Sequence, residues 1–292
     1  MTPIEWTNRT WNPLQARLDT HPEGDEFPTL RVGWACEKVS PGCANCYAES
    51  INRRLGTGLP YTVPAMTEVA TFLDEKRLAK PASWRKPAMV FVCSMTDLYG
   101  RWVPEADIRA IAFAMRGNPQ HTFQVLTKRP ERMAELHPRL TATGYMPESH
   151  IWRGTSAENQ AAADLRIPHL LNVRTAVPWL SLEPLLGPIV LRPEWLAAIR
   201  WVVVGGESGS GSRNCDVQWI RAIVHQCREA GVPVFVKQLG KKPMERRELP
   251  KFDWPRGTMW RNDLVARLKH PKGGDMAEWP EDLRVRQWPV AS

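Results

Sequence analysis

With 292 residues, 43% of them hydrophobic and 24% charged, the chain is long enough to bury one large core and carries too little charge to be disordered. A net charge of +8 and a pI near 9.4 favour a polyanionic partner, DNA, RNA or a nucleotide. No apolar run reaches the roughly 20 residues that a membrane span needs, and Met1–Trp6 lacks the basic and apolar regions of a signal peptide. The expectation is a cytoplasmic protein without a membrane partner. Its six cysteines should be reduced and available for metal or redox chemistry.

In chain order, residues 14–30 are mostly polar, carry Pro22 and Pro28, and read as a surface insertion. An early strand is expected near Arg31–Ala35, and a helix begins near Tyr47. Ala88–Cys93 is an apolar strand. Glu105–Arg116 places Ile108, Ile111, Ala112 and Met115 at helical spacing. Strands follow at Thr122–Leu126, His150–Gly154, Ala176–Leu182, Trp201–Val204 and Pro233–Val236. Helices are expected from Pro130, over Asn159–Leu171, around Trp195–Ile199 and over Val217–Ala230, the last closed by Gly231. About seven strand–helix units imply a parallel α/β sheet, a complete or partial (β/α) barrel, with a doubly wound sheet as the competitor. In either fold functional groups gather at the C-terminal ends of the strands. The barrel is expected over 1–240. Residues 241–292, rich in Pro and Trp and opening with Lys241, Lys242, Arg246, Arg247 and Lys251, form an irregular extension packed on it.

The segment Cys36-Glu-Lys-Val-Ser-Pro-Gly-Cys43-Ala-Asn-Cys46 places three cysteines within eleven residues, between a strand and a helix. Pro41-Gly42 supplies the turn that brings Cys36 back towards Cys43. A structural zinc site usually has four protein ligands. No fourth Cys or His lies nearby, and His21 stands upstream in a loop. Three thiolates on a [4Fe–4S] cluster would leave one iron open, and S-adenosylmethionine binds such an iron. Zinc with a distant fourth ligand remains the alternative. Cys93, Cys215 and Cys227 read as core residues.

The chain also resembles a family of phage and prophage proteins named for a three-Cys motif and related to radical SAM enzymes. The matching segments are Ile4-Glu5-Trp6-Thr7, Trp11-Asn12-Pro13, Val39–Glu49 around the cysteines, Ser83–Pro87, Gln120–Pro130, Ser181–Pro188 and Val204–Gly209. Radical SAM enzymes mostly space their cysteines C-x3-C-x2-C, whereas here the first gap is six residues. The resemblance implies a barrel of radical SAM type, a [4Fe–4S] cluster on Cys36, Cys43 and Cys46, S-adenosyl-L-methionine as cofactor, and an electron donor such as a flavodoxin or ferredoxin. It also implies that Ser94 or Asp97, after the first strand beyond the cysteines, receives the cofactor's amino end.

Other strand ends supply further candidates. Ser156, Glu158 and Asn159 would face ribose hydroxyls, although Ser156 and Asn159 also read as helix caps. Glu183 ends an apolar strand, where a carboxylate needs a partner. Gly205, Gly206 and Glu207 would let a ligand approach the backbone closely. Lys128, Arg129, Lys237 and Gln238 are candidates for the substrate. The expected activity is modification of a nucleic-acid base or nucleotide by a 5′-deoxyadenosyl radical. The alternative is a zinc- or cluster-stabilised nucleic-acid-binding protein without catalysis.

Overall fold

The computed structural model describes residues 4–20, 29–141, 148–209, 211–248, 260–264 and 268–289. Seven strands make the principal sheet: β1 (Arg9–Trp11), β2 (Met89–Val92), β3 (Thr122–Thr127), β4 (Ile151–Ser156), β5 (Pro178–Leu182), β6 (Trp201–Gly205) and β7 (Val234–Gln238). Their hydrogen-bonded order is the chain order, β1 through β7. The pairs β1–β2, β2–β3, β3–β4 and β6–β7 are parallel. A doubly wound sheet reverses its strand order at a switch point. Here nothing reverses, so the α/β fold has the winding of a partial (β/α) barrel. Six helices of the described residues matter below: α1 (Tyr47–Leu55), α2 (Glu105–Arg116), α3 (Pro130–Thr141), α4 (Gln160–Leu171), α5 (Pro193–Ala198) and α6 (Val217–Glu229).

The chain divides into two compact units, 1–156 with 165–179, and 157–164 with 180–292. In the first unit β2 is a continuous apolar run because both of its faces are covered. Helix α2 buries Ile108, Ile111, Ala112 and Met115, as its spacing requires. Trp6 stacks within 4.8 Å of Phe91 and 5.3 Å of Trp179. Gly154 lets Trp179 lie flat on β4, since a Cβ there would come within 2.6 Å of the indole. Among the described residues seven tryptophans are buried, at positions 6, 11, 152, 179, 195, 201 and 279. These seven indoles fill the core.

Three sequence expectations differ from the structure. The first strand of the principal sheet is Arg9–Trp11, not the segment near Arg31. Thr29–Gly33 is a strand, but it pairs antiparallel with Leu14–Thr20, which also pairs with Ala70–Leu73. Part of the expected polar insertion is thus an ordered sheet, with Leu14 and Ala16 buried. The alternation of Leu14, Ala16 and Leu18 with Gln15, Arg17 and Asp19 carries that strand.

In the second unit Val202↔Val234, Val203↔Phe235 and Val204↔Val236 are in register, and then Gln238 pairs with Gly205. Lys237 is the extra residue of a bulge, which turns its side chain away from the ladder. The expected irregular extension contains a ladder of Pro243–Glu248 with Trp260–Leu264. Its last described segment bridges β7 at Phe235↔Arg286, flanked by backbone bonds from Val236 to Val285 (2.8 Å) and from Gln287 to Val234 (3.0 Å). That segment covers the outer edge of β7. Lys251 lies outside the described residues.

An ionic cluster in the first unit makes stability depend on pH. Glu148 accepts from Arg116 Nε at 2.6 Å and from Arg153 Nη2 at 2.7 Å. Burial works against the Glu148 charge, but Arg153 and Arg116 outweigh it and hold the carboxyl below its usual range. Burial, followed by the Arg153 charge, lowers His137 from 6.5 to about 4. The unfolded chain therefore takes up a proton at His137 before the native chain does, and stability falls as pH drops from 6.5 towards 4. A His137→Asn variant should show a flatter profile of melting temperature against pH across that interval, keeping only the steeper loss below it that Glu148 causes. Superimposable profiles for the two proteins would refute this assignment.

Candidate metal centre

Short-range geometry sets the cysteine loop. Buried Asn52, on α1, accepts from Trp34 N at 2.9 Å and Thr57 N at 3.2 Å, and donates to Thr57 Oγ1 and Leu59 O. All of its amide groups are used, so it pins the chain entering the loop to the helix leaving it. Gly33 is required beside it, because a Cβ would sit 2.3 Å from Thr57 N. Pro41–Cys43 forms a tight 3-10 turn closed by Cys43 N to Ser40 O at 2.9 Å. Cys46 is the N-cap residue of α1.

The three thiols are half-buried. Cys36 and Cys46 pack against the same buried group of Ala48, Tyr61 and Met95. Burial pushes Cys36 up to about 12, and the nearby Asp97 and Cys46 charges add to the rise. Burial also raises Cys46, against the opposing pull of the Glu49 and Ala48 amides at the start of α1 and of Lys128. The Cys46 charge adds to the rise of Cys36, and the Cys43 charge adds to that of Cys46. Among the described residues no three of His, Cys, Asp and Glu stand close enough to share a single metal ion. His21 lies outside the described residues.

The segment after β2 is fastened to this loop at several points. Thr96 Oγ1 donates to Ala35 O at 2.5 Å, Tyr61 to Met95 O at 2.7 Å, and Tyr47 to Ser94 O at 2.6 Å. Asn12, just past β1, donates to Ser94 Oγ at 3.1 Å and accepts from Met95 N at 3.0 Å. Cys93, where β2 ends, has a positive φ of 53°, which turns the chain sharply into this segment.

Asp97 is the junction. Its buried carboxylate accepts from Thr127 Oγ1 at 2.6 Å, Lys128 N at 3.0 Å, Tyr99 N at 3.0 Å and Arg129 Nη1 at 3.3 Å. Arg129 continues to Glu37 Oε2 at 3.2 Å and lies 4.8 Å over the Trp102 ring. Arg101 meets the other Glu37 oxygen at 2.9 Å. Arg132 holds the same segment through the carbonyls of Tyr99, Gly100 and Val103. Asp97 and Arg129 thus satisfy each other, whereas the half-buried Lys128 ammonium has no ion pair among the described residues. Ser156, ending β4, accepts from Arg166 Nη1 through its carbonyl.

The second unit contains the remaining candidates. Glu183 ends β5 at a cis Glu183–Pro184 bond, and the bulged Lys237 places Nζ 3.1 Å from its Oε1. Gly205 is held to glycine by that pair, since a Cβ would meet Glu183 Oε1 at 2.9 Å and Gln238 O at 3.0 Å. Gln238 Nε2 donates to Gly206 O at 2.9 Å. Glu207 receives Arg213 through three donors, Nη2 at 2.6 Å, N at 2.8 Å and Nε at 2.9 Å. Those bonds, reinforced by buried Glu158, keep the guanidinium charged. Asn159 accepts from Ala162 N at 2.9 Å, the cap of α4. Sequence reasoning missed Asn12, Glu37, Asn52 and Arg213. Of these Asn12 and Glu37 lie in segments that the sequence singles out, Trp11-Asn12-Pro13 and the cysteine loop.

Asp97→Asn removes the charge that Arg129 faces while keeping the shape. Breaking a buried pair typically costs about 3–5 kcal/mol, and Glu37 stays to compensate part of it. A loss of about 2–4 kcal/mol is therefore expected in denaturant melts. A change under about 0.5 kcal/mol, the usual range for surface substitutions, would show that the junction is dispensable.

No curated protein and no solved structure matches the chain. One family, described as Protein of unknown function (DUF5131), matches residues 29–276. That span includes the cysteine loop, the Asp97 junction and strands β2 to β7, and the chain belongs to this family.

Proposed function

We propose that the chain is a radical SAM enzyme whose [4Fe–4S] cluster is held by Cys36, Cys43 and Cys46, and that it modifies a nucleic-acid base or nucleotide. The observation that supports the reading is three cysteines within eleven residues of one loop, with Cys36 and Cys46 packed against the same buried group of Ala48, Tyr61 and Met95. Zinc holds thiolates at about 2.3 Å, which brings tetrahedral sulfurs to within about 4 Å of one another. A cubane cluster gives each thiolate its own iron, so its thiolates need not share one ion. The donor set fits in a second way: three soft thiolates on a [4Fe–4S] cluster leave one iron for an outside ligand.

When bound and reduced, the cluster supplies the electron that cleaves S-adenosylmethionine and yields the 5′-deoxyadenosyl radical. The chain's own residues bind and orient. Lys128 offers a half-buried cation beside Cys46 for a carboxylate or phosphate. Ser94, its hydroxyl at Asn12 and its carbonyl at Tyr47, holds the backbone where the cofactor's amino end is expected. Asp97 and Arg129, paired with each other, brace the site. In the second unit Glu183, paired with Lys237, and Glu158 and Glu207, gathered on Arg213, are the candidates for hydroxyl or cationic groups. An external donor such as a flavodoxin or ferredoxin supplies the electron, and a cytoplasmic setting would provide it. Among the described residues no helix is long and apolar enough to cross a membrane.

Anaerobic reconstitution should give a brown protein with about four irons per chain. Each of the serine variants of Cys36, Cys43 and Cys46 should lose most of that iron, and dithionite with S-adenosylmethionine should release 5′-deoxyadenosine. One zinc and no iron per wild-type chain would end the proposal. Binding to a labelled single-stranded oligonucleotide should weaken steeply as salt rises, because phosphate contacts release counterions. Absence of binding at low salt to DNA and RNA would remove the substrate class and leave the cluster reading standing.

A further inference from the structure

We propose that Arg129 is a positioning residue for the metal centre: it ties Glu37, the neighbour of Cys36, to Asp97 at the end of β2 and sets a fixed positive charge beside the first thiolate. The proposal rests on the cluster reading above. Arg129 is buried, and its two terminal nitrogens reach two acids on separate segments, Asp97 Oδ2 at 3.3 Å and Glu37 Oε2 at 3.2 Å. Its own amide donates to Thr127 Oγ1 at 2.9 Å, and Thr127 Oγ1 donates in turn to Asp97. Its guanidinium stacks on Trp102, which lies so close over Gly100 that a Cβ there would come within 2.3 Å of the ring. The arginine therefore has one available position.

Structure alone does not require this arrangement. A buried ionic triad is no more stable than apolar residues of the same shape, and it is often less so. The planar fork does what a lysine cannot, bridging two carboxylates at once. What distinguishes the place is Cys36, one residue from Glu37. A cluster on three thiolates is net negative and gains a further negative charge on reduction, so a fixed cation nearby favours uptake of the electron. Lys128 brings the same sign of charge to Cys46, and among the described residues its ammonium pairs with neither of these acids, although its backbone N–H donates to Asp97. It thus separates the two roles, since it supplies charge without a tie.

The test uses reconstituted full-length chain. It reads the rate of iron loss to a chelator and the midpoint potential from an EPR-monitored redox titration, with circular dichroism to check folding. Arg129→Gln should lose iron about tenfold faster, as changes around metal ligands commonly do, and should shift the potential to more negative values. Arg129→Lys should restore the potential but not the iron retention. Lys128→Gln should shift the potential alone. Glu37→Gln cuts the same tie from its other end and should speed iron loss while moving the potential positive, which covers the case in which Arg129→Gln does not fold. Wild-type iron loss and potential in folded Arg129→Gln, or in folded Glu37→Gln, would overturn the proposal and leave the cluster reading intact. A wild-type chain that takes up no iron would overturn both.

Discussion

The Asp97 carboxylate is the constraint on which the first unit's site depends. It is buried, and burying a bare carboxylate is expensive unless hydrogen bonds and an opposite charge replace the water it loses. Four donors do so: one from its own turn, two from the end of β3 and one from Arg129. Because the donors come from different segments, satisfying one group fixes the relative position of all of them. The end of β2, the end of β3 and, through Glu37, the start of the cysteine loop form one assembly. Such a network is stable only when complete, since any missing member leaves a charge buried without compensation.

The second unit reaches comparable order by different means, close approach and one extra residue. Gly205 and Gly206 stand where a side chain would collide with Glu183, Gln238, Leu239 or Cys215. Close protein contacts by themselves call for glycine at both positions. The bulge in β7 costs one ladder position and in return releases Lys237 to meet Glu183. The carboxylate that the sequence marked as needing a partner has one, and the partner comes from another strand end of the same unit.

Elements governed by local periodicity were legible in the sequence. Helix α2 runs over the residues its apolar spacing indicates, and β2 and β6 are short apolar runs bounded by turn residues. What could not be read was pairing. Thr29–Gly33 has strand character, but nothing in it says that its neighbour is Leu14–Thr20 and not the principal sheet. Strand β1 is three residues long, too short for alternation to show, and it is recognisable only from its register with Val90–Val92. The site divides in the same way. The cysteines announce themselves by clustering within eleven residues. Glu37 and Arg129 are 92 positions apart, and no local pattern links them.

The cysteine loop also contains Cys43-Ala-Asn-Cys46, the spacing used by thiol–disulfide centres, and the local electrostatics bear on which chemistry it suits. A reactive dithiol needs a thiolate near neutral pH, made by lowering a cysteine below its usual value near 8.5. Cys46 has the helix N-terminus and Lys128 to help it, yet burial prevails and its value rises. Cys36 is raised too, to about 12. Burial thus disfavours the thiolate at both free cysteines, which makes them poor nucleophiles. Metal ions reverse that balance, because a bound cation displaces the proton and supplies the charge that burial withholds. Half-buried sulfurs, flanked by cations that lie near but donate no bond to them, are poorly placed for exchange with a disulfide and well placed to be held as ligands.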